Sequence, residues 1–314
     1  MIREEFYYLS ADGKTKIHAV EWRPEGEPVA VLQIAHGVTE HILRYEEAAE
    51  YFTGKGFVVV GNDHLGHGTS IAEGAEPMYF GPSGSWKWVV KDMRSCSERV
   101  KAKYPNIPYI VMGSSLGSFA IRTWLIRYPG TVDAAILAGT GQTAPAILGF
   151  IRKVAVREGE KSGEEHTTPL INKLTFENYN KGFAPNKTEF DWLCVSETSL
   201  DEYMKDPLRG EAISAGLFRE LIDGMSFTAR KINQKKMDTE MPILLISGAE
   251  DPVGDRGKGV MRTWRSFGKV GMKDVDMKIY PGLRHDILHD EGREEIYEYL
   301  YQWIEDKTSQ IRCV

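Results

Sequence analysis

From residue 29 onward the chain alternates short apolar runs with helical stretches, and no other feature limits its fold so tightly. Residues 29–34, 57–60, 109–112 and 132–137 are near-continuous apolar runs of the kind found in strands buried on both faces. Residues 45–53, 86–103 and 116–127 lie between them with helical spacing. Repeated strand–helix–strand order implies a parallel sheet with helices on both faces and right-handed crossovers. Ahead of it, residues 5–9 and 16–22 flank the turn Ala11-Asp12-Gly13 and predict a hairpin. The alternation stops near residue 140, then resumes with strands at 242–246 and 275–280 and a closing helix over 293–304. The predicted fold class is therefore α/β: a mostly parallel, eight-stranded sheet with helices on both faces, built from residues 1–140 and 237–314. Residues 141–236 form a helical insertion after the sixth core strand. Within it, residues 145–156 place Ile147, Ile151 and Val154 on one face, and the polar stretch 158–168 reads as an exposed loop.

Composition narrows the function. A 314-residue chain with 42% hydrophobic and 27% charged residues can bury a sizeable core without covalent staples. A formal net charge of −6 without clustered Lys and Arg argues against a nucleic-acid partner. No run approaches the ~18 apolar residues of a membrane span, so no transmembrane segment is expected. Arg3, Glu4 and Glu5 exclude a signal peptide at the start of the sequence. Cys96, Cys194 and Cys313 lie far apart with no CxxC pair, which fits neither a disulfide framework nor a zinc cluster. A reducing cytoplasm suits them best.

The first chemical signal is Gly113-Ser114-Ser115-Leu116-Gly117, a match to G-x-S-x-G. The pattern alone is weak in a chain with 31 glycines; its place between a strand and a helix makes it strong. A sharp strand-to-helix turn strains the serine backbone, and side chains at the flanking positions would strike their neighbours. The Ser115 hydroxyl is thereby held above the sheet at a helix N-terminus, whose dipole favours a developing negative charge. A serine hydroxyl needs a base, and histidine is the usual one near neutral pH. His285 follows the strand at 275–280 and the turn Pro281-Gly282, at the carboxyl edge of the sheet. His289 lies beyond it, and the pair with Asp286 and Asp290 has a metal-like spacing but no third well-placed ligand. For the orienting acid, Asp251 in the loop after the strand at 242–246 is the choice, with Glu250 and Asp255 as alternatives. The plain reading of Asp251 is a helix N-cap. Such a site calls for no cofactor and no metal.

Acyl transfer also needs donors aimed at the oxyanion: the Leu116 N–H, and a second from the loop His36-Gly37-Val38-Thr39-Glu40-His41. That loop with Arg44-Tyr45, and Asp63-His64-Leu65-Gly66-His67-Gly68-Thr69-Ser70, resembles the monoacylglycerol lipase and lysophospholipase branch of the α/β-hydrolases, also grouped as serine aminopeptidase S33. Ser115, Asp251-Pro252-Val253 and Gly282-x-x-His285 match its triad motifs, so the resemblance spans nearly the whole chain. It implies an α/β-hydrolase fold and oxyanion N–H groups on Val38 and Leu116. It implies that the insertion is a mobile cap carrying an acyl tunnel. Ser114, Thr39 and Ser118 stand where the family usually has His, Gly and Gly. By the same analogy Glu40 and Arg44 could meet the polar head of a substrate; an exposed ion pair is the alternative. His64-x-x-His67 beside Asp63 reads as a hydrogen-bonded structural loop, and His36 as a buried, satisfied histidine. The segment Thr188-Glu189-Phe190-Asp191-Trp192-Leu193 could line a pocket or pack a cap core.

The expected function is a serine carboxylic ester hydrolase acting on small acyl esters such as monoacylglycerols or lysophospholipids. An aminopeptidase or amidase with the same triad is the second reading, and a non-catalytic scaffold the third. The partner is then a small-molecule acyl ester, and the cap could touch a membrane surface transiently.

Overall fold

The computed structural model describes residues 1–309. Eight strands form one sheet in the order β1-β2-β4-β3-β5-β6-β7-β8. They are β1 (Ile2–Leu9), β2 (Lys16–Arg23), β3 (Ala30–Ala35), β4 (Phe57–Asn62), β5 (Tyr109–Ser114), β6 (Ala134–Ala138), β7 (Ile243–Gly248) and β8 (Val275–Tyr280). The hairpin β1–β2 joins antiparallel to β4, and the pairs from β4 to β8 are parallel. The sheet is thus the mostly parallel, eight-stranded one that the alternation implied.

The strands read as continuous apolar runs because both faces are covered. Val31, Val111, Leu137 and Leu245 face one core with helices α2 (Trp86–Lys103), α3 (Leu116–Arg127) and α10 (Lys258–Lys269). Leu32, Ile110, Ile136 and Leu244 face the other, with α1 (Glu46–Gly54) and α11 (Arg293–Thr308). The one-residue alternation is the period-two geometry of a strand.

Between β6 and β7 the chain is helical: α4 (Pro145–Ser162), the short α5 (Pro169–Asn172) and α6 (Asn178–Asn180), then α7 (Glu197–Lys205), α8 (Ala215–Ala229) and the short α9 (Lys231–Gln234). Two expectations fail here. The buried face of α4 carries Leu148, Ala155 and Gly159, while Ile147 is 53% exposed. The helix also runs on through Ser162, so residues 158–162 are not loop. Packing on α8 explains both. Arg152 pairs with Asp223 of α8 at 2.5 Å, and the buried Gly159 packs near Ala215 at the start of α8. No helix among the described residues is long and apolar enough to cross a membrane. Cys96 and Cys194 are buried free thiols, and Cys313 lies outside the described residues.

β3 pairs with β4 on one side and β5 on the other, so the chain leaves β3 and β5 in opposite directions. Such a reversal opens a crevice at the carboxyl ends of the strands, where open α/β sheets bind ligands. The loops after β3 and β5 line it.

Candidate active site

Ser115 ends the turn from β5 into α3 with φ 50° and ψ −116°, a left-handed conformation costly for any residue but glycine. The flanking glycines make the turn possible. A Cβ on Gly113 would lie 2.5 Å from the carbonyl oxygen of Gly117, and one on Gly117 would lie 2.0 Å from that of Ala35. The Ser115 N–H donates to Ala138 O of β6 at 3.0 Å. Ser118, in place of the family glycine, donates its Oγ hydrogen to Ser115 O at 2.6 Å and so braces the turn. Leu116 is the first residue of α3, where an N–H has no acceptor within the helix.

His285 lies on the loop after β8. Its Nδ1–H donates to Asp251 Oδ1 at 2.8 Å, which places the free lone pair on Nε2. Asp251 is fully buried; it also accepts from Val253 N–H at 2.8 Å and from Ser247 Oγ at 2.9 Å. Of the three acids considered, only Asp251 meets the imidazole. Glu250 is exposed, and Asp255 pairs with Arg262 at 2.9 Å. The N-cap of α10 is Gly257, so Asp251 caps no helix there. Burial pushes the His285 pKa down, but the Asp251 charge and hydrogen bond, with Asp286 and Glu40 behind them, outweigh it and hold it above 6.5. His285 Nε2 is buried and makes no hydrogen bond. His285 lines the same small cavity as Ser115, and no hydrogen bond joins its Nε2 to Ser115.

The loop after β3 is held by Glu40. Its carboxylate accepts from the Gly37 N–H, from Arg44 and, at 3.0 Å, from Tyr45 OH. Arg44 reaches on to Asp286 Oδ2 at 3.2 Å. The exposed Glu40–Arg44 pair offered as an alternative is instead one between a buried carboxylate and a half-buried guanidinium; both residues border the cavity with their charges engaged. Burial opposes the charge of Asp286, yet His289 and Arg44 hold its pKa well below the usual carboxylate range. Glu40, Asp286 and His289 lie close enough to hold a cation, but the Arg44 guanidinium already bridges the two acids. Both His289 nitrogens are engaged, with Asp286 Oδ1 at 2.8 Å and Arg44 O at 3.0 Å. Asp290 turns away to accept from Val195 and Ser196 N–H.

The His64–His67 loop is a hydrogen-bonded wall. His36 Nδ1–H donates to Gly37 O at 2.7 Å, and its Nε2 accepts the His64 N–H at 2.9 Å. Burial pushes the His64 and His67 pKa values down to about 3 and about 4, so both rings are neutral. Asp63 is saturated by His18 Nδ1–H and the N–H groups of Ile42 and Thr69, each at 2.9 Å. Thr39, at φ 60°, takes the left-handed conformation that a glycine would take freely; its hydroxyl bonds Val38 O at 2.6 Å and Tyr203 OH at 2.8 Å.

The helical segment closes over the site. Trp192 lies against the His285 ring, centroids 5.2 Å apart and tilted 34°. The cavity bounded by Val38, Ser115, Trp192, Leu193, Tyr203 and His285 is about 20 Å³, room for about one water. The acyl tunnel implied by the resemblance does not open onto Ser115 in this state. The segment at 188–193 both lines the cavity and packs a core of its own, with Phe190, Leu200 and Tyr203. Sequence reasoning missed the Tyr203–Thr39 bond and the contact of Arg44 with Asp286, 242 positions apart, for which no local pattern exists.

Known proteins resemble this chain over nearly its whole length. Residues 26–292 match the family model described as serine aminopeptidase, S33. A monoacylglycerol lipase of Mycolicibacterium smegmatis is 25% identical over 303 residues, covering 96% of this chain and 97% of the relative. A human monoglyceride lipase is 27% identical over 310 residues, covering 96% and 91%. A thermostable carboxyl esterase from Bacillus coagulans, solved with glycerol, superposes with a TM-score of 0.88 at 26% identity over 98% of this chain and 99% of that one. The chain belongs to the serine aminopeptidase S33 family of the α/β-hydrolase fold, with monoacylglycerol lipases among its relatives.

Proposed function

We propose that the protein is a serine carboxylic ester hydrolase working through an acyl-enzyme, with Ser115 as nucleophile, His285 as base and Asp251 as its orienting acid. One observation carries the reading. A strained serine and a buried, unbonded His285 Nε2, its ring fixed by Asp251, share one water-sized cavity. Ser115 Oγ adds to the ester carbonyl carbon as its proton passes to His285 Nε2. The oxyanion is met by the N–H groups of Val38 and Leu116. The imidazolium gives the proton to the departing alkoxide oxygen as the C–O bond breaks, and water then repeats the sequence on the acyl-enzyme. Asp251 stabilises the imidazolium and keeps Nε2 pointed at the cavity.

The substrate class follows from what surrounds the cavity. Residues 141–236 act as a cap, part of which moves to admit an acyl chain, and Glu40 and Arg44 border the cavity where a polar head would pass. The relatives named monoacylglycerol lipase favour a monoacylglycerol-like ester. Ile147 and Phe150 of α4, 53% and 66% exposed, give the cap an apolar face for transient contact with a lipid surface. The peptidase reading is weaker on physical grounds. A free amino terminus needs an unpaired carboxylate near Ser115, and Glu40 and Asp286 are both paired with Arg44. The test is kcat/KM for a medium-chain monoacylglycerol against an aminoacyl p-nitroanilide. The ester should win clearly; a win for the anilide would overturn the substrate assignment and leave the triad standing.

A further inference from the structure

A leaving alcohol must bring its oxygen to His285 Nε2, because that nitrogen supplies its proton. Whatever packs on the His285 ring and borders the cavity therefore borders the alcohol, not the acyl chain. Trp192 is that residue: its indole lies 5.2 Å from the imidazole, and it lines the cavity with Ser115.

The backbone that carries Trp192 is fastened to the loop that carries His285. The Asp286 N–H donates to Leu193 O at 2.6 Å. Arg284 donates to the carbonyls of Asp191 and Cys194, the latter at 3.0 Å. Asp290 Oδ1 accepts the N–H groups of Val195 and Ser196 at 2.8 and 2.9 Å. On the other side, the Trp192 N–H donates to Asn180 Oδ1 at 3.1 Å, and the ring stacks on Phe176 with planes 16° apart. Buried hydrogen bonds to charged groups are the expensive ones to break. The opposite wall has its own ties, the Tyr203 hydroxyl on Thr39, the Arg44 guanidinium over the Tyr203 ring and Asp206 on His41 at 2.6 Å, but none of them reaches the His285 loop. Trp192, by contrast, is tied to the loop of the base.

We propose that Trp192 is a fixed wall of the leaving-group pocket that limits the size of the alcohol, and not part of a moving lid. The proposal rests on the ester-hydrolase reading above. A wall on one side of the scissile bond discriminates one side of the substrate. Trimming it should relax selection among alcohols and leave selection among acyl chains alone.

The experiment measures kcat/KM on two ester series, for the wild type, Trp192→Ala, Trp192→Phe and Arg284→Met. One series keeps the hexanoyl group and varies the alcohol from methyl through glyceryl to 1-naphthyl. The other keeps glycerol and varies the acyl chain from butyryl to dodecanoyl. Taking each variant relative to wild type cancels the intrinsic reactivity of the alcohols. Trp192→Ala should raise the naphthyl-to-methyl ratio by at least about tenfold, the scale of a pocket freed of a large side chain. Trp192→Phe, which keeps the aromatic core around Phe176, should fall between and decides the matter if the alanine variant does not fold. Arg284→Met should move the ratio the same way by less, because the wall is loosened and not removed. The acyl optimum should stay where it is in all three. An alcohol ratio within about twofold of wild type in both Trp192 variants, or a displaced acyl optimum, would overturn the wall. An Arg284→Met enzyme faster on every ester alike would show the segment to be a lid. A wild type inactive on both series would overturn the ester-hydrolase reading itself and the wall with it.

Discussion

Ser115 and Ser114 are adjacent and both border the cavity, yet only Ser115 holds the left-handed backbone that lifts a hydroxyl off the end of the strand. Ser115→Ala should lower kcat/KM on esters by roughly 10⁴-fold or more with the fold intact, whereas Ser114→Ala should stay within roughly tenfold of wild type. A dead Ser114→Ala beside an active Ser115→Ala would move the nucleophile. The base has its own signature. His285 must be neutral to take the serine proton. Burial lowers its pKa, but Asp251, Asp286 and Glu40 raise it further than burial lowers it. The acid limb of kcat/KM should therefore turn over above pH 6.5, and activity is lost as pH falls through that point. A profile flat from about pH 5 to 9 would exclude a histidine base. These residues were legible in the sequence because each sits just past a strand end marked by glycine. Arg44 and Asp286 were not, because the pair that ties the loop after β3 to the His285 loop spans 242 positions.

At the scale of elements, the buried strands were legible because each is a continuous apolar run, and their order followed from the helices between them. The register of α4 was not. Its sequence offers Ile147 and Leu148 side by side, and only contact with α8 decides that Leu148 is buried. The same helix α8 does something no periodicity announces. Glu220, fully buried, accepts the N–H groups of Gly84 at 2.9 Å and Trp86 at 2.7 Å, and so caps α2 from a distant part of the chain. Removing it leaves the Gly84 and Trp86 N–H groups without their acceptor and takes from Arg219 one of its two carboxylate partners, the other being Glu164. Glu220→Ala should destabilise the protein by about 3 kcal/mol, read from the midpoint of urea unfolding. A change under about 0.5 kcal/mol would mean that water replaces the carboxylate at no cost.

For the molecule as a whole, the sheet supplies a rigid platform and the helices between β6 and β7 close a site with about 20 Å³ left in it. On the proposed ester-hydrolase function, turnover requires opening, and the opened space holds the acyl chain. Each buried methylene contributes ~0.8 kcal/mol, so kcat/KM should climb about fourfold per methylene across short esters, then level off once the space is full. Monoacylglycerols should exceed triacylglycerols, whose remaining chains would need room under the same roof. A rate indifferent to chain length would place the acyl group in solvent and remove the cap from binding. On the proposed function, this fold serves to make Ser115 a nucleophile. That role is tested most directly by treating the protein with a fluorophosphonate probe and mapping the modified peptide by mass spectrometry. One adduct is expected, on Ser115, absent from Ser115→Ala and greatly slowed in His285→Ala; a protein left unlabelled, or labelled at Ser114 or elsewhere, would show that Ser115 is not the nucleophile.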